Sequence, residues 1–164
     1  MTLLPANHNY RRTNGTSLTG GKEMGLVYAE IELLSIEDLI LSQYGIRLDS
    51  EVRKVKKRAL VDSGALDLVI GADVKEQLNL KVRGKRSVRL ADDSVIQVEM
   101  VGPLEVRFEN RSTIVNAVVL PTEEVLLGAI PMESLDVFID PVRQRLVVNP
   151  ESPDIPMSQI KKCA

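Results

Sequence analysis

The position of Asp62 in the sequence suits a carboxylate that takes part in acid–base chemistry. Asp62 directly follows the apolar run Ala59-Leu60-Val61 and opens the turn-forming tetrapeptide Asp62-Ser63-Gly64-Ala65. The apolar run predicts a buried strand, so the carboxylate is expected on a sharp turn at the strand's end. A side chain held there can act as a general acid or base. Asp-Ser-Gly is also ordinary turn chemistry, so the tetrapeptide alone leaves a structural role open.

The residue types that other catalytic arrangements require are scarce. Among 164 residues there are one histidine, His8, and one cysteine, Cys163, and each lies close to a terminus. A Ser-His-Asp or Cys-His arrangement would depend on His8, in a polar leader, and one chain cannot assemble a zinc site rich in His or Cys. The sequence also has no glycine-rich phosphate loop. We therefore expect carboxylates to be the catalytic groups, with no metal and no cofactor.

Length and charge indicate a single soluble domain. The chain is long enough to bury a hydrophobic core, and its formal net charge of -2 gives no global field for nucleic acid or a membrane. No apolar stretch is long enough to span a bilayer, and the N-terminus lacks the apolar region of a secretory signal. We expect a cytoplasmic protein with neither nucleic acid nor a membrane as partner.

A basic run, Arg53 to Arg58, is the other conspicuous segment. It contains five Lys or Arg residues in six positions. One interpretation is a nucleic-acid patch, and the other is a solvated strand that leads into the core. We favour the strand because the run is short and the chain as a whole is acidic.

Turn signals divide the chain into short elements. Residues 1–24 are polar and predict a flexible leader, residues 25–150 hold the domain, and residues 151–164 form a proline-containing tail. Within the domain the patterns predict roughly eight to ten short strands with two or three short helices, which is typical of an all-β sandwich or barrel. A helix from Ile36 to Tyr44 is predicted with Ser35 and Asp38 as a capping box.

Four further local predictions can be checked against a structure. Strands 82–90 and 95–101 should form a hairpin that turns at Ala91-Asp92-Asp93-Ser94. A new strand should begin at Pro103, and residues 113–120, nearly all apolar or β-branched, should be buried on both faces. Asp73 is expected to cap a short helix that runs through Leu78.

Three segments, in this order, resemble the retropepsin-like aspartic proteases. They are Ala59-Leu60-Val61-Asp62-Ser63-Gly64-Ala65, similar to the catalytic loop; the hairpin around Leu90-Ala91-Asp92-Asp93-Ser94, in the flap position; and Leu126-Leu127-Gly128, similar to the element that packs behind the catalytic loop. The resemblance covers about residues 25–150. It implies an all-β fold, a closed barrel-like acid-protease half-domain.

The resemblance also implies an aspartic endopeptidase that works as a homodimer on peptide or protein substrates. The chain has no second Asp-Ser-Gly or Asp-Thr-Gly, so each copy would supply one Asp62. The two carboxylates would share a proton and activate a water, with activity bell-shaped in pH and an acidic optimum. The N–H groups of Gly64 and Ala65 would hydrogen-bond the carboxylates. Ser63 replaces the family's Thr, whose hydroxyl ties the two loops together, and predicts a looser dimer.

The sequence departs from the family pattern at three places. Retroviral members commonly have an acidic residue where this chain has Leu66, and Asp67 comes one position later. The flap region carries Asp92-Asp93 in place of glycines, and the helix of residues 36–44 is an apparent insertion. These departures leave open the alternative of a non-catalytic peptide-binding or dimerisation module with the same fold.

Overall fold

The computed structural model describes residues 25–161. His8, Cys163 and the leader predicted for residues 1–24 lie outside this range. The strands are β1 (Val27–Ser35), β2 (Lys54–Val61), β3 (Leu68–Ile70), β4 (Val82–Arg89), β5 (Val95–Phe108), β6 (Arg111–Val119), β7 (Val125–Leu127), β8 (Val137–Asp140) and β9 (Arg145–Val148), and the helices are α1 (Ile36–Gln43), α2 (Ala72–Gln77) and α3 (Ala129–Leu135). None of these helices is long and apolar enough to cross a membrane.

Six strands close into a barrel in the order β1-β2-β7-β3-β6-β5, because β5 pairs back onto β1. Most neighbours are antiparallel, but β2 runs parallel to β7 and β3 runs parallel to β6. Strand β4 pairs with β5 and continues the sheet beyond the barrel, while β8 and β9 form a separate hairpin. The predicted all-β, closed barrel-like fold with short helices is confirmed.

Alternating side chains fill the barrel. In β1 the residues Val27, Ala29, Ile31 and Leu33 are buried, as the two-residue period predicts, and they join one core with apolar residues from the other strands and from α3. Strand β1 thereby buries one face, and the shared packing of the barrel strands fixes where their ends lie.

Two local predictions were wrong in detail. Strand β5 does not stop before Pro103 but runs on to Phe108, with a shift in its pairing to β6 between Val101 and Leu104. Strand β6 is buried on both faces only around Ala117 and Val118, and Ile114 is 61% exposed. The position of the neighbouring strands, rather than local composition, decides how long β5 is and which residues of β6 are buried.

The predicted caps are only partly correct. Ser35 caps α1, because its hydroxyl accepts a hydrogen bond from the backbone N–H of Asp38 at 3.2 Å. The buried Asp38 carboxylate does not return that bond: it accepts from the backbone N–H of Arg53 at 2.8 Å and pairs with the guanidinium groups of Arg47 and Arg53. In α2 the N-cap is Gly71 rather than Asp73.

The basic run consists of Arg53 and the first five residues of β2, the strand that leads to Asp62. Three of its members have structural partners. Arg53 pairs with Asp38, Lys57 pairs with Asp73 at 3.0 Å, and the Arg58 guanidinium lies 4.1 Å from the centre of the Tyr28 ring. These contacts favour the interpretation of the run as a solvated strand.

The chain stays on the barrel beyond residue 150. The Asp136 carboxylate accepts hydrogen bonds from the hydroxyl of Ser152 at 2.5 Å and from the backbone N–H of Met157 at 2.9 Å. The Asn110 side chain donates to the carbonyl of Pro153 at 2.8 Å. These bonds fasten residues 152–157, and the domain boundary near residue 150 stays a prediction.

Candidate active site

Asp62 leaves the barrel at the point where β2 ends. Val61 lies beside Leu127 in the parallel pairing of β2 with β7, and the backbone N–H of Asp62 donates to the carbonyl of Leu127 at 3.0 Å. Asp62 is half-buried, whereas Ser63 and Gly64 are exposed. The sheet thus fixes the backbone of Asp62 and leaves the following loop at the surface.

The Asp62 carboxylate is held by its own loop. The backbone N–H of Gly64 donates to Oδ1 of Asp62 at 2.9 Å, as expected, but the N–H of Ala65 donates to the backbone carbonyl of Asp62 at 3.2 Å. Gly64 does not adopt a left-handed backbone, and a Cβ there would lie 3.2 Å from Oδ1. The glycine therefore keeps space for the carboxylate and is not needed for the turn itself.

Gly128 backs this loop closely. A Cβ on Gly128 would lie 2.2 Å from the carbonyl oxygen of Asp67 and 2.8 Å from that of Ala65. Beyond it, the N–H groups of Ala129 and Ile130 donate to the carbonyls of Ala65 and Leu66 at 2.8 Å and 2.9 Å. The segment Leu126-Leu127-Gly128 lies behind the Asp62 loop, where the resemblance puts it.

A cleft of about 660 Å³ lies between the Asp62 loop and the β4–β5 hairpin. Its lining includes Asp62 and Gly64 to Asp67 on the loop, Val69, Val118, Leu120 and Leu126 on the barrel, and residues 86–91 on the hairpin. The cleft has the acidic group on one wall and a strand on the opposite wall, which suits an extended chain of atoms.

The predicted flap residues divide into two groups. Leu90 and Ala91 line the cleft, whereas Asp92, Asp93 and Ser94 form the exposed tip of the hairpin. At the tip the Asp92 carboxylate accepts hydrogen bonds from the Ser94 hydroxyl at 2.5 Å and the Ser94 N–H at 3.0 Å. The Ser94 hydroxyl is the main cause that lowers the pKa of Asp92 from its ordinary value. The Asp92 side chain therefore stabilises the turn at the tip of the hairpin.

An ion pair that the sequence did not reveal joins the hairpin to the loop. Nη1 of Arg86, on β4, lies 2.5 Å from Oδ2 of Asp67. In the sequence Arg86 stands two and four positions before the apolar Val88 and Leu90, and this two-residue period was the one available signal that Arg86 faces inward.

Among residues 25–161, one carboxylate of the cleft forms no salt bridge with a cation. Asp62 and Asp67 are its two acidic lining residues, and Asp67 is paired with Arg86. Within residues 25–161 no group of three or more His, Cys, Asp and Glu side chains could hold a metal ion. Chemistry that requires two carboxylates at Asp62 therefore needs a second one from outside the described part of this chain.

Comparison with known proteins assigns the fold and cleft to a class. A family model described as "Aspartyl protease" matches residues 48–130, about half of the chain, from the approach to β2 to the first turn of α3. The chain belongs to this retropepsin-like aspartyl protease family, and the predicted resemblance is confirmed. Family membership supports the aspartic peptidase class; members generally dimerise and bind peptides. No curated protein matches the chain at a significant level.

Proposed function

We propose that the protein is an aspartic endopeptidase whose active site forms at a homodimer axis from one Asp62 of each copy. The observation that carries the proposal is the half-site: within the described residues, a single carboxylate without a salt-bridge partner lies at a strand end, in a cleft covered by a hairpin. A dyad with two-fold symmetry completes this site without any new residue type.

In the proposed reaction the two Asp62 carboxylates share one proton, since two neighbouring negative charges repel. The ionised Asp62 takes a proton from a water while the water oxygen bonds to the scissile carbonyl carbon. The partner's Asp62 gives its proton to the carbonyl oxygen. The resulting diol collapses when its C–N bond breaks. The Asp62 that took the water proton gives it to the nitrogen, and one diol hydroxyl returns its proton to the partner's Asp62 as the carboxylic acid forms, so the pair again holds one proton. Activity is therefore expected to be bell-shaped in pH, because the reaction needs one carboxylate ionised and the other protonated.

The exposed loop beside Asp62 supports a contact between copies. Ser63 and Gly64 are exposed, and the apolar side chain of Leu66 in the same loop is 58% exposed. A second copy across the axis would cover Leu66 and bring the two Ser63 hydroxyls within reach of the facing loops. Serine lacks the methyl group of the family's threonine, so the proposed dimer is held less firmly at this point.

The outer edge of β4 favours peptide binding. Strand β4 pairs with β5 on one side and is the last strand of the sheet, and its residues 86–89 line the cleft. A peptide in extended conformation could pair with this edge and lie above Asp62. The same edge also serves the alternative function, a peptide-binding or dimerisation module without chemistry.

The test is cleavage of a diverse peptide library between about pH 4 and pH 7 by the full chain, its Asp62→Asn variant and Asp154→Asn as the matched control. Asp154 is an exposed residue of the C-terminal segment. We expect cleavage by the wild type and the control and none by Asp62→Asn, with sedimentation showing a dimer for all three.

Two results would contradict the proposal. Undiminished cleavage by Asp62→Asn would remove the catalytic role of Asp62. A dimeric wild type that binds peptides without cutting them at any pH would support the non-catalytic module instead.

A further inference from the structure

We propose that Arg86 makes the cleft selective for peptides that carry an acidic side chain two residues away from an aliphatic one. The preference deepens the proposed function, on which its effect on cleavage rests, whereas its effect on peptide binding does not depend on catalysis. Two neighbouring features of the cleft carry it, an aliphatic pocket and a cationic wall.

The aliphatic pocket lies between the barrel and β4. Val69 and Val118 are 6% and 2% exposed, and together with Val98 they form a cluster against which Val88, Leu120 and Leu126 pack. Val88 comes from the hairpin and Leu126 from the barrel, and both line the cleft. The pocket is therefore apolar above and below and accepts a branched aliphatic side chain.

The cationic wall lies on the same strand. Arg86 and Arg89 line the cleft, and the acidic lining residues are Asp62 and Asp67. Arg86 gives one N–H to Asp67 and keeps four more donors, since a guanidinium has five. Its side chain is 39% exposed and that of Asp67 is 20% exposed, so the cation is the more accessible member of the pair.

Arg89 adds to this excess of donors. Among the residues that the structure describes, its salt-bridge partner is Asp93, at 3.9 Å, and both side chains are largely exposed. An exposed pair at that distance is weak. A substrate side chain that reaches Arg86 or Arg89 thus meets N–H donors that Asp67 and Asp93 do not use, which favours a carboxylate.

The spacing of Arg86 and Val88 sets the expected pattern in the peptide. They are two residues apart on one face of β4, about 6.6 Å along the strand. A peptide that pairs with the free edge of β4 repeats the same two-residue period. Its acidic side chain near Arg86 then places the residue two positions away near the pocket of Val88 and Leu126.

The experiment compares peptide pools in which Glu, Gln or Lys is fixed two positions before or after Leu. Cleavage is measured with the full wild-type chain, and binding by fluorescence anisotropy with Asp62→Asn, at about pH 6, where glutamate is ionised. One of the two positions of Glu, before or after Leu, should be preferred. For that position we expect the Glu pool to exceed the matching Gln pool about three- to tenfold in kcat/KM and in affinity.

Substitutions on β4 identify the residue responsible. Arg86→Gln should abolish the preference for Glu, and Arg86→Glu should transfer it to the Lys pool. Lys85→Gln removes the same charge from the neighbouring position, which is exposed and outside the cleft lining, and should leave the preference intact. A midpoint of thermal unfolding within error of wild type shows that each variant is folded.

The outcomes separate this inference from the proposed function. Cleavage with equal rates for the Glu and Gln pools, or a Glu preference that survives Arg86→Gln, overturns the inference and leaves the endopeptidase standing. Glu-selective binding without cleavage supports the inference and overturns the endopeptidase. Equal binding of all pools together with no cleavage overturns both.

Discussion

Replacing Gly128 by alanine should move the loop that carries Asp62 without touching Asp62 itself. An added Cβ would lie 2.2 Å from the carbonyl oxygen of Asp67, 2.8 Å from that of Ala65 and 2.9 Å from the carbonyl carbon of Leu66. All three atoms belong to backbone, so no side-chain rotation can relieve the overlap. Contacts of about 3.5 Å are normal between such atoms, so the loop or β7 must shift by roughly 1 Å.

This shift should reduce both the stability of the protein and its activity. Overpacking of a fitted interior costs about 1–3 kcal/mol, which lowers the unfolding midpoint of a chain of this size by roughly 2–12 °C. A displacement of about 1 Å at the reacting group can reduce activity about 100-fold. The hydrogen bonds from Ala129 and Ile130 to the loop weaken in the same movement.

The assays are thermal unfolding and peptide cleavage, with Gly84→Ala as the matched control. A Cβ on Gly84 would meet nothing closer than Cε of Met100, at 3.9 Å, which is ordinary contact. We expect the control to keep the wild-type unfolding midpoint or to exceed it slightly. Equal stability and activity of Gly128→Ala and Gly84→Ala would refute the close packing of the loop on Gly128.

Three other predictions follow from single contacts. If two copies share the dyad, an equimolar mixture of exchanging wild type and Asp62→Asn retains about a quarter of the activity of the same total wild type, and about half would indicate independent sites. Asp38→Ala removes the acceptor of two guanidinium groups and one backbone N–H. It should lower the free energy of unfolding, measured in urea, by about 2–4 kcal/mol. The control Glu37→Ala, at an exposed position, should change this free energy by less than about 0.5 kcal/mol. The Ser152 hydroxyl donates a hydrogen bond to Asp136 and is the main cause that lowers the pKa of this carboxyl group. The Asp136 carboxylate therefore stabilises the fold at pH values above the unfolded pKa of about 3.9. This stabilisation is lost as the pH falls through the lowered pKa of the folded state. Asp136→Asn should therefore melt earlier than wild type at pH 7 but lose less of its midpoint between about pH 4 and pH 2, and a parallel decline would contradict this.

Features that depend on neighbouring residues could be predicted from the sequence. The alternation of Val27, Ala29, Ile31 and Leu33 gave β1, and the turn chemistry of residues 91–94 gave the hairpin, because each pattern reports a local period or a local backbone bond. The position of Asp62 at a strand end followed in the same way from the apolar residues before it.

Features that depend on distant strands could not be predicted in this way. Closure of the barrel by β1 and β5, and the parallel pairing of β2 with β7, join segments that no local pattern connects. Strand β5 continues through Pro103 because β6 on one side and β1 on the other supply its pairing partners beyond the register shift. The Asp38 carboxylate likewise accepts a hydrogen bond from Arg53, fifteen residues away, instead of capping its own helix.

The loop of Asp62 meets a different part of the molecule on each side. Behind it, β7 and Gly128 fix its backbone through close contact and hydrogen bonds. Above it, Arg86 holds Asp67 and so couples the loop to the β4–β5 hairpin. Its remaining side exposes Ser63 and Leu66, the surface available to a second copy. In the proposed complex a peptide carboxylate would bind the donors of Arg86 that Asp67 does not use, so the residue that selects the peptide is also the one that joins the hairpin to the loop of Asp62.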